Sequence, residues 1–279
     1  MAGDPASPGG IGQDADPAPG DRIGPPERSE GVAPKDAGLT YRSVAMALRP
    51  PFSVLTRRDW AGAEHLPPAG VGCLVAANHL SEVDPLVVAH FVHDHGRAPR
   101  FMAKASIFDL PLAGTLLRQV GQIPVYRESR DASLSVRGAT EAIKAGECVV
   151  IYPEATLTRD PDLWPMRGKT GVARIALEAG CPVVPLAHWG AQRLLAPYAR
   201  VPHLFPPPTM VVRAGAPVDL SGLGPATSAR ALRSATDAIM AAIVGLLEDI
   251  RGEVAPPDRF DPESAGVPGI GNPRRPRRG

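Results

Sequence analysis

The sequence predicts an α/β layered domain with a largely parallel central sheet flanked by helices. Three observations carry this. Six short apolar runs have the length and composition of strands, helical patterns fall between most of them, and the 279 residues suffice for one sizeable core. No internal repeat suggests a solenoid or propeller instead.

The first element in chain order is a helix-like stretch at 41–48, which Pro50-Pro51 is expected to break. Val44, Met46, Leu48, Phe52, Val54 and Leu55 are its apolar members, flanked by Arg42, Arg49, Arg57 and Arg58. Such a stripe suits an interfacial helix, and suits a helix packed on the domain equally well. Strands are expected at 72–77, 100–103, 122–125, 148–152, 183–187 and 209–214. Helical patterns lie at 85–94, 112–120, 133–145 and 171–179. A last helix is expected at 228–251, where Leu232, Ile239, Met240, Ile243, Val244, Leu246 and Leu247 give helical spacing.

The ends read differently. Residues 1–38 and 253–279 are rich in Gly and Pro and poor in large apolar side chains, so they cannot bury enough surface to offset their ordering entropy. Both are expected to be disordered tails around a folded region at 39–252. The first tail is net acidic. The second ends in Pro-Arg-Arg-Pro-Arg-Arg-Gly, a solvated end or a weak attraction to anionic lipid headgroups. The formal net charge is +1. A mildly basic middle suits an anionic substrate or an anionic membrane surface, and no nucleic-acid partner is expected. Cys73, Cys148 and Cys181 each lie in or beside an apolar run and read as reduced thiols in a cytosolic chain. No signal pattern and no run of the roughly 18 apolar residues a membrane span needs is present, so membrane contact is expected to be peripheral, at the cytoplasmic face of the plasma membrane.

The segment Asn78-His79-Leu80-Ser81-Glu82-Val83-Asp84-Pro85 carries the chemistry. It follows the strand-like Cys73–Ala77 run and leads into a helix, and such turns at the carboxyl ends of strands are where α/β sheets bind ligands. Asp84-Pro85 reads as an N-cap and a proline at the first helical position. The same carboxylate can orient His79, and an imidazole so held can act as a general base on a hydroxyl. Ser81 is a nearby hydroxyl, more simply a turn former than a nucleophile. The dense patch His90-Phe91-Val92-His93-Asp94-His95 leaves open a metal-dependent phosphohydrolase, although it reads more simply as a helix-end cluster.

Three further blocks follow: Gly121-Gln122-Ile123-Pro124-Val125-Tyr126-Arg127, then Tyr152-Pro153-Glu154-Ala155-Thr156-Leu157-Thr158-Arg159, then Pro182-Val183-Val184-Pro185-Leu186-Ala187. With Asn-His-x4-Asp, and in this order, they resemble the motifs of the glycerolipid acyltransferases, the 1-acylglycerol-3-phosphate acyltransferases above all. The resemblance covers about residues 40–215 and implies the layered acyltransferase fold. It also implies transfer of a fatty acyl group from acyl-CoA or acyl carrier protein to lysophosphatidic acid, giving phosphatidic acid, or to another glycerolipid or glycolipid acceptor. The donor enters as co-substrate, and neither a further cofactor nor a metal is required. The residue roles implied are His79 as base, Asp84 as its partner, Arg127 as phosphate ligand, Glu154 as ligand of the glycerol acceptor, and Lys104, Thr156 and Arg159 as further acceptor-binding residues. Lys169 is another candidate, and Trp164 and Trp189 read as packing residues or pocket walls. A guanidinium grips phosphate oxygens in a planar fork, and a carboxylate accepts hydrogen bonds from hydroxyls. One departure stands out: Ala155 occupies the place of the family's glycine. If the turn requires a positive φ, this strains it by about 1 kcal/mol or more, which leaves open a non-catalytic lipid-binding relative.

Overall fold

The computed structural model describes residues 38–126 and 132–268. Seven strands form one sheet in the order β1-β7-β6-β2-β5-β3-β4. They are β1 (Arg57–Ala61), β2 (Cys73–Ala77), β3 (Pro99–Lys104), β4 (Ile123–Val125), β5 (Cys148–Ile151), β6 (Val183–Trp189) and β7 (Thr209–Ala214). All pairings are parallel except β6 with β7. The helices are α1 (Leu39–Leu55), α2 (Asp84–Asp94), α3 (Ala105–Phe108), α4 (Pro111–Gln119), α5 (Ala132–Lys144), α6 (Gly171–Ala179), α7 (Ala191–Leu194) and α8 (Ala229–Arg251).

The pleat of β2 explains the layering. Cys73, Val75 and Ala77 face α2, where they meet Val87, Val88 and Phe91. Leu74 and Ala76 face the opposite way and meet Ile143 of α5, Ile175 of α6, and Ile239, Met240 and Ile243 of α8. A strand buried on both faces reads as a continuous apolar run, which is why Cys73-Leu74-Val75-Ala76-Ala77 shows no alternation. Each large aliphatic side chain buried in these layers contributes about 1.5–3 kcal/mol. The Ser228 hydroxyl caps α8 by accepting from Ala231 N at 3.2 Å, and Gly252 ends it at φ 65°.

The structure departs from the sequence reading at α1, at β1 and after α8, and it adds the short helices α3 and α7. α1 continues through Pro50 and Pro51 to Leu55. Its far half is held by packing, with Phe52 against the core and Arg49 bonded to Asp94 at 2.8 Å. β1 has no apolar signature, because Arg57-Arg58-Asp59-Trp60-Ala61 is an edge strand that exists by pairing with β7. Residues 253–268, expected within a tail, lie against α8 and the loop before α6. Ala255 N donates to Glu248 Oε1 at 2.8 Å, and Arg167 bonds both the Phe260 carbonyl and Asp261. Residues 1–37 and 269–279 of the expected tails lie outside the described residues.

Candidate active site

The carboxyl ends of β2, β5, β3 and β4 lie side by side along one edge of the sheet, with β6 on the other side of β2. The chain leaves β2 at Ala77, and the next residues must turn to start α2. Asp84 is the first residue of α2 rather than its N-cap, a place taken by Val83. Its carboxylate reaches back over the turn instead. Oδ2 accepts from Leu80 N at 2.5 Å, Ser81 N at 2.8 Å and His79 Nδ1 at 2.8 Å. Asp84 is fully buried, and three donors on one ionised oxygen make short, charge-assisted bonds.

This geometry fixes the imidazole. With Nδ1–H committed to Asp84, the neutral ring keeps a lone pair on Nε2. The His79 side chain is 18% exposed, so it is reachable but not loose. One ring face stacks on Tyr152, with centroids 4.0 Å apart and planes 14° from parallel. Burial, and then the charge on Asp84, push the Tyr152 phenol well above its usual range, so the stacked ring stays neutral.

Glu154 follows β5 and is buried at 2% exposure. Oε1 accepts from His79 N at 3.1 Å and Oε2 from Met166 N at 2.9 Å. Both oxygens are therefore engaged by backbone, and the residue ties the His79 turn to the loop before α6 rather than facing open space. Burial pushes its carboxyl up to about 8, against the pull of those two backbone bonds. Ala155 adopts φ 59°, the left-handed conformation that favours glycine. Thr158 N then donates to the His79 carbonyl at 2.8 Å, and the Thr158 hydroxyl to Trp164 O at 2.6 Å.

Of the acceptor-binding candidates, Thr156 and Arg159 meet, with Arg159 Nη2 donating to Thr156 Oγ1 at 3.3 Å. Arg159 Nη1 also donates to the Tyr198 hydroxyl, and its guanidinium lies 5.0 Å from that ring's centre. Lys104 is exposed at the end of β3, on the same edge of the sheet as His79. Lys169 is exposed too, and its backbone N donates to the Pro153 carbonyl at 2.8 Å. Arg127 lies outside the described residues. Ser81 is buried, with its hydroxyl donating to the Leu195 carbonyl at 2.6 Å, so it is held as a turn residue.

The histidine patch on α2 serves packing. His90 sits edge-on between Phe52 and Trp60, and burial drives its pKa down to about 4 against the pull of Asp94. Arg49 and Arg58 take Asp94 at 2.8 and 3.0 Å. Among the described residues, no three His, Cys, Asp or Glu side chains converge as a metal ion would need.

Sequence reasoning missed Tyr152 as the platform under His79, and missed His188 and Tyr198. Tyr152 was in plain view at the head of its block. His188 had one signal, a polar residue inside an apolar strand.

Fold and site together define a class: an α/β domain presenting a carboxylate-held imidazole at the carboxyl ends of its strands. Residues 57–189 match the family model described as Acyltransferase. Curated relatives agree. The chain is 29% identical over 140 residues to the chloroplastic 1-acyl-sn-glycerol-3-phosphate acyltransferase BAT2 of Brassica napus, a match covering 50% of this chain and 39% of that protein. It is 35% identical over 116 residues to the lyso-ornithine lipid O-acyltransferase of Pseudomonas aeruginosa, covering 41% of this chain and 42% of that one. The chain thus spans less than half the length of these two relatives. Among solved structures, it shares its fold with the 1-acyl-sn-glycerophosphate acyltransferase PlsC of Thermotoga maritima, at TM-score 0.60 and 23% identity, over 77% of this chain and 81% of that one.

Proposed function

We propose that this chain is an O-acyltransferase that moves a fatty acyl group from a thioester to the free hydroxyl of 1-acylglycerol-3-phosphate. The observation that supports this most is the 2.8 Å bond from His79 Nδ1 to buried Asp84, on a turn at the carboxyl edge of the sheet. His79 Nε2 takes the proton of the acceptor hydroxyl as its oxygen attacks the thioester carbonyl carbon. The C–O bond forms, the C–S bond breaks, and the departing thiolate recovers the proton from the imidazolium. Asp84 orients the ring and stabilises its charged form. Acyl-CoA or acyl carrier protein supplies the thioester, and no acyl-enzyme is needed. Arg159, Thr156 and Lys104, with Arg127, supply the polar and cationic groups for the phosphate. Glu154 acts by holding the His79 turn. No helix among the described residues is long and apolar enough to cross a membrane. The acceptor is a lipid, so the domain works at a membrane surface, and an anionic surface suits Arg42, exposed in the first turn of α1, and Arg57, exposed just after the helix.

A second reading rests on the 35% identity to the lyso-ornithine lipid enzyme, which argues for a headgroup without phosphate. One experiment separates them: transfer from a long-chain acyl-CoA to lysophosphatidic acid or to lyso-ornithine lipid in vesicles, with His79→Ala alongside. The expected result is transfer to lysophosphatidic acid, reduced at least ~100-fold in the variant. Preference for lyso-ornithine lipid would move the assignment to the second reading. Equal rates in wild type and variant would remove His79 as base.

A further inference from the structure

We propose, on the basis of the acyl-transfer reading above, that His188 is a positioning residue for His79. It grips the peptide group in front of the base from the side opposite Glu154 and so holds the base in register with Asp84. His188 lies in β6, beside β2, and is fully buried. Its Nε2–H donates to the Asn78 carbonyl at 2.8 Å. Its backbone N donates to Asn78 Oδ1 at 2.9 Å, and its carbonyl accepts from Asn78 Nδ2 at 3.1 Å. The side-chain amide of Asn78 therefore continues the ladder between β2 and β6 past the point where the backbone leaves the sheet.

The geometry around the next peptide gives this a consequence. A trans peptide directs its C=O and N–H to opposite sides. The Asn78 carbonyl is held by His188, and the His79 N–H is held by Glu154 Oε1 at 3.1 Å. Two buried side chains thus pin one peptide plane from both sides. The next carbonyl, that of His79, is held by Thr158 N at 2.8 Å. With both flanking peptides fixed, the direction in which His79 projects its ring is set before any substrate arrives.

Histidine suits the place chemically. Leucine would fill the space but leave the Asn78 carbonyl buried without its donor. Lysine or arginine would bring a permanent charge beside Asp84, whose Oδ2 is 3.7 Å from His188 Nε2. Burial holds the His188 imidazole below its usual pKa, against the pull of Asp84. The ring is therefore neutral, with one N–H, and the Asn78 carbonyl fixes that proton on Nε2. A neutral donor secures the turn without competing with His79 for the carboxylate.

The test compares His188→Gln with His188→Asn, and His79→Ala serves as control. Glutamine can place an N–H near the position of Nε2, whereas asparagine is too short. The assay is transfer from a long-chain acyl-CoA to lysophosphatidic acid, since displacing a reacting group by about 1 Å can cost on the order of 100-fold. Expected is a kcat within about threefold of wild type for glutamine. For asparagine, kcat falls about 10–100-fold with both KM values within about twofold. Histidine ¹⁵N NMR of the substrate-free protein gives the second readout: a single Nδ1–H tautomer of His79 in wild type and His188→Gln, a mixture in His188→Asn. Equal kcat in the two variants with an unchanged His79 tautomer would overturn the proposal, as would a change confined to KM. Wild-type activity in His79→Ala would instead remove His79 as base, and no transfer by the wild type would sink the acyl-transfer reading; in either case the NMR comparison would still decide whether His188 positions His79.

Discussion

Ala155 shows how one residue can carry a cost that the sequence announces and the structure locates. Its φ of 59° is the conformation in which a Cβ crowds the following carbonyl, at roughly 1–2 kcal/mol. Ala155→Gly is therefore expected to stabilise the domain by about 1 kcal/mol, with transfer activity at least equal to wild type. Urea denaturation would check the first and the vesicle assay the second. Glu154 gives a prediction in pH. Its carboxyl titrates near 8 when folded, against an ordinary 4.5, so the folded chain binds a proton that the unfolded chain releases between those values. The raised folded value means that Glu154 favours folding fully below about 4.5, and that this contribution is lost as pH rises through about 8. Thermal midpoints measured from pH 5 to 8.5 are expected to fall more steeply in wild type than in Glu154→Gln. Parallel curves would mean that Glu154 does not titrate in this window. The motif made Glu154 visible, but its partners were not legible. Met166 is twelve residues away along an irregular loop, and no periodicity describes such a loop.

Among elements, local pattern passed over the one-turn helices α3 and α7, and it misread α1 and β1 for one reason. Both are set by their partners. α1 keeps its helix past two prolines because it docks on α2 along its length, through the Tyr41 hydroxyl of its first turn 3.3 Å from His93 and, beside and beyond the prolines, through Arg49 on Asp94 and Phe52 on His90. Asp94 is 2% exposed and holds Arg49 and Arg58, which are 35% and 43% exposed. Asp94→Asn is expected to destabilise the fold by about 2 kcal/mol, less than a fully buried pair would, because solvent screens both guanidinium groups. Hydrogen exchange should rise across 39–55 in that variant and stay level in α8. The helices that the sequence placed well, α2, α5, α6 and α8, each carry a buried apolar stripe whose spacing is local information.

Across the whole molecule, the segment after α8 closes back on the loop that supports the site. Arg251 lies over Trp164 at 3.9 Å and Trp189 at 4.7 Å and donates to Asp162 O at 2.8 Å. Arg167 N donates to Phe260 O at 3.2 Å, next to the Met166 N–H that Glu154 accepts. A chain ending at Gly252 is expected to exchange amide hydrogens about tenfold faster across 154–169, a change of about 1.4 kcal/mol in local opening. Unchanged exchange there would show that the segment only covers surface. By itself, the sequence determined the layering, the largely parallel sheet, and the turn on which His79 and Asp84 face each other. Those depend on strand and helix periods and on two residues five positions apart. Only the tertiary structure decided that β1 is a strand, that Glu154 spends both oxygens on backbone, and that His188 stands behind the site. His188 is 110 positions from Asn78, and they meet because β6 pairs with β2. Pairing across a sheet is set by burial of the whole core, which no local window of sequence contains.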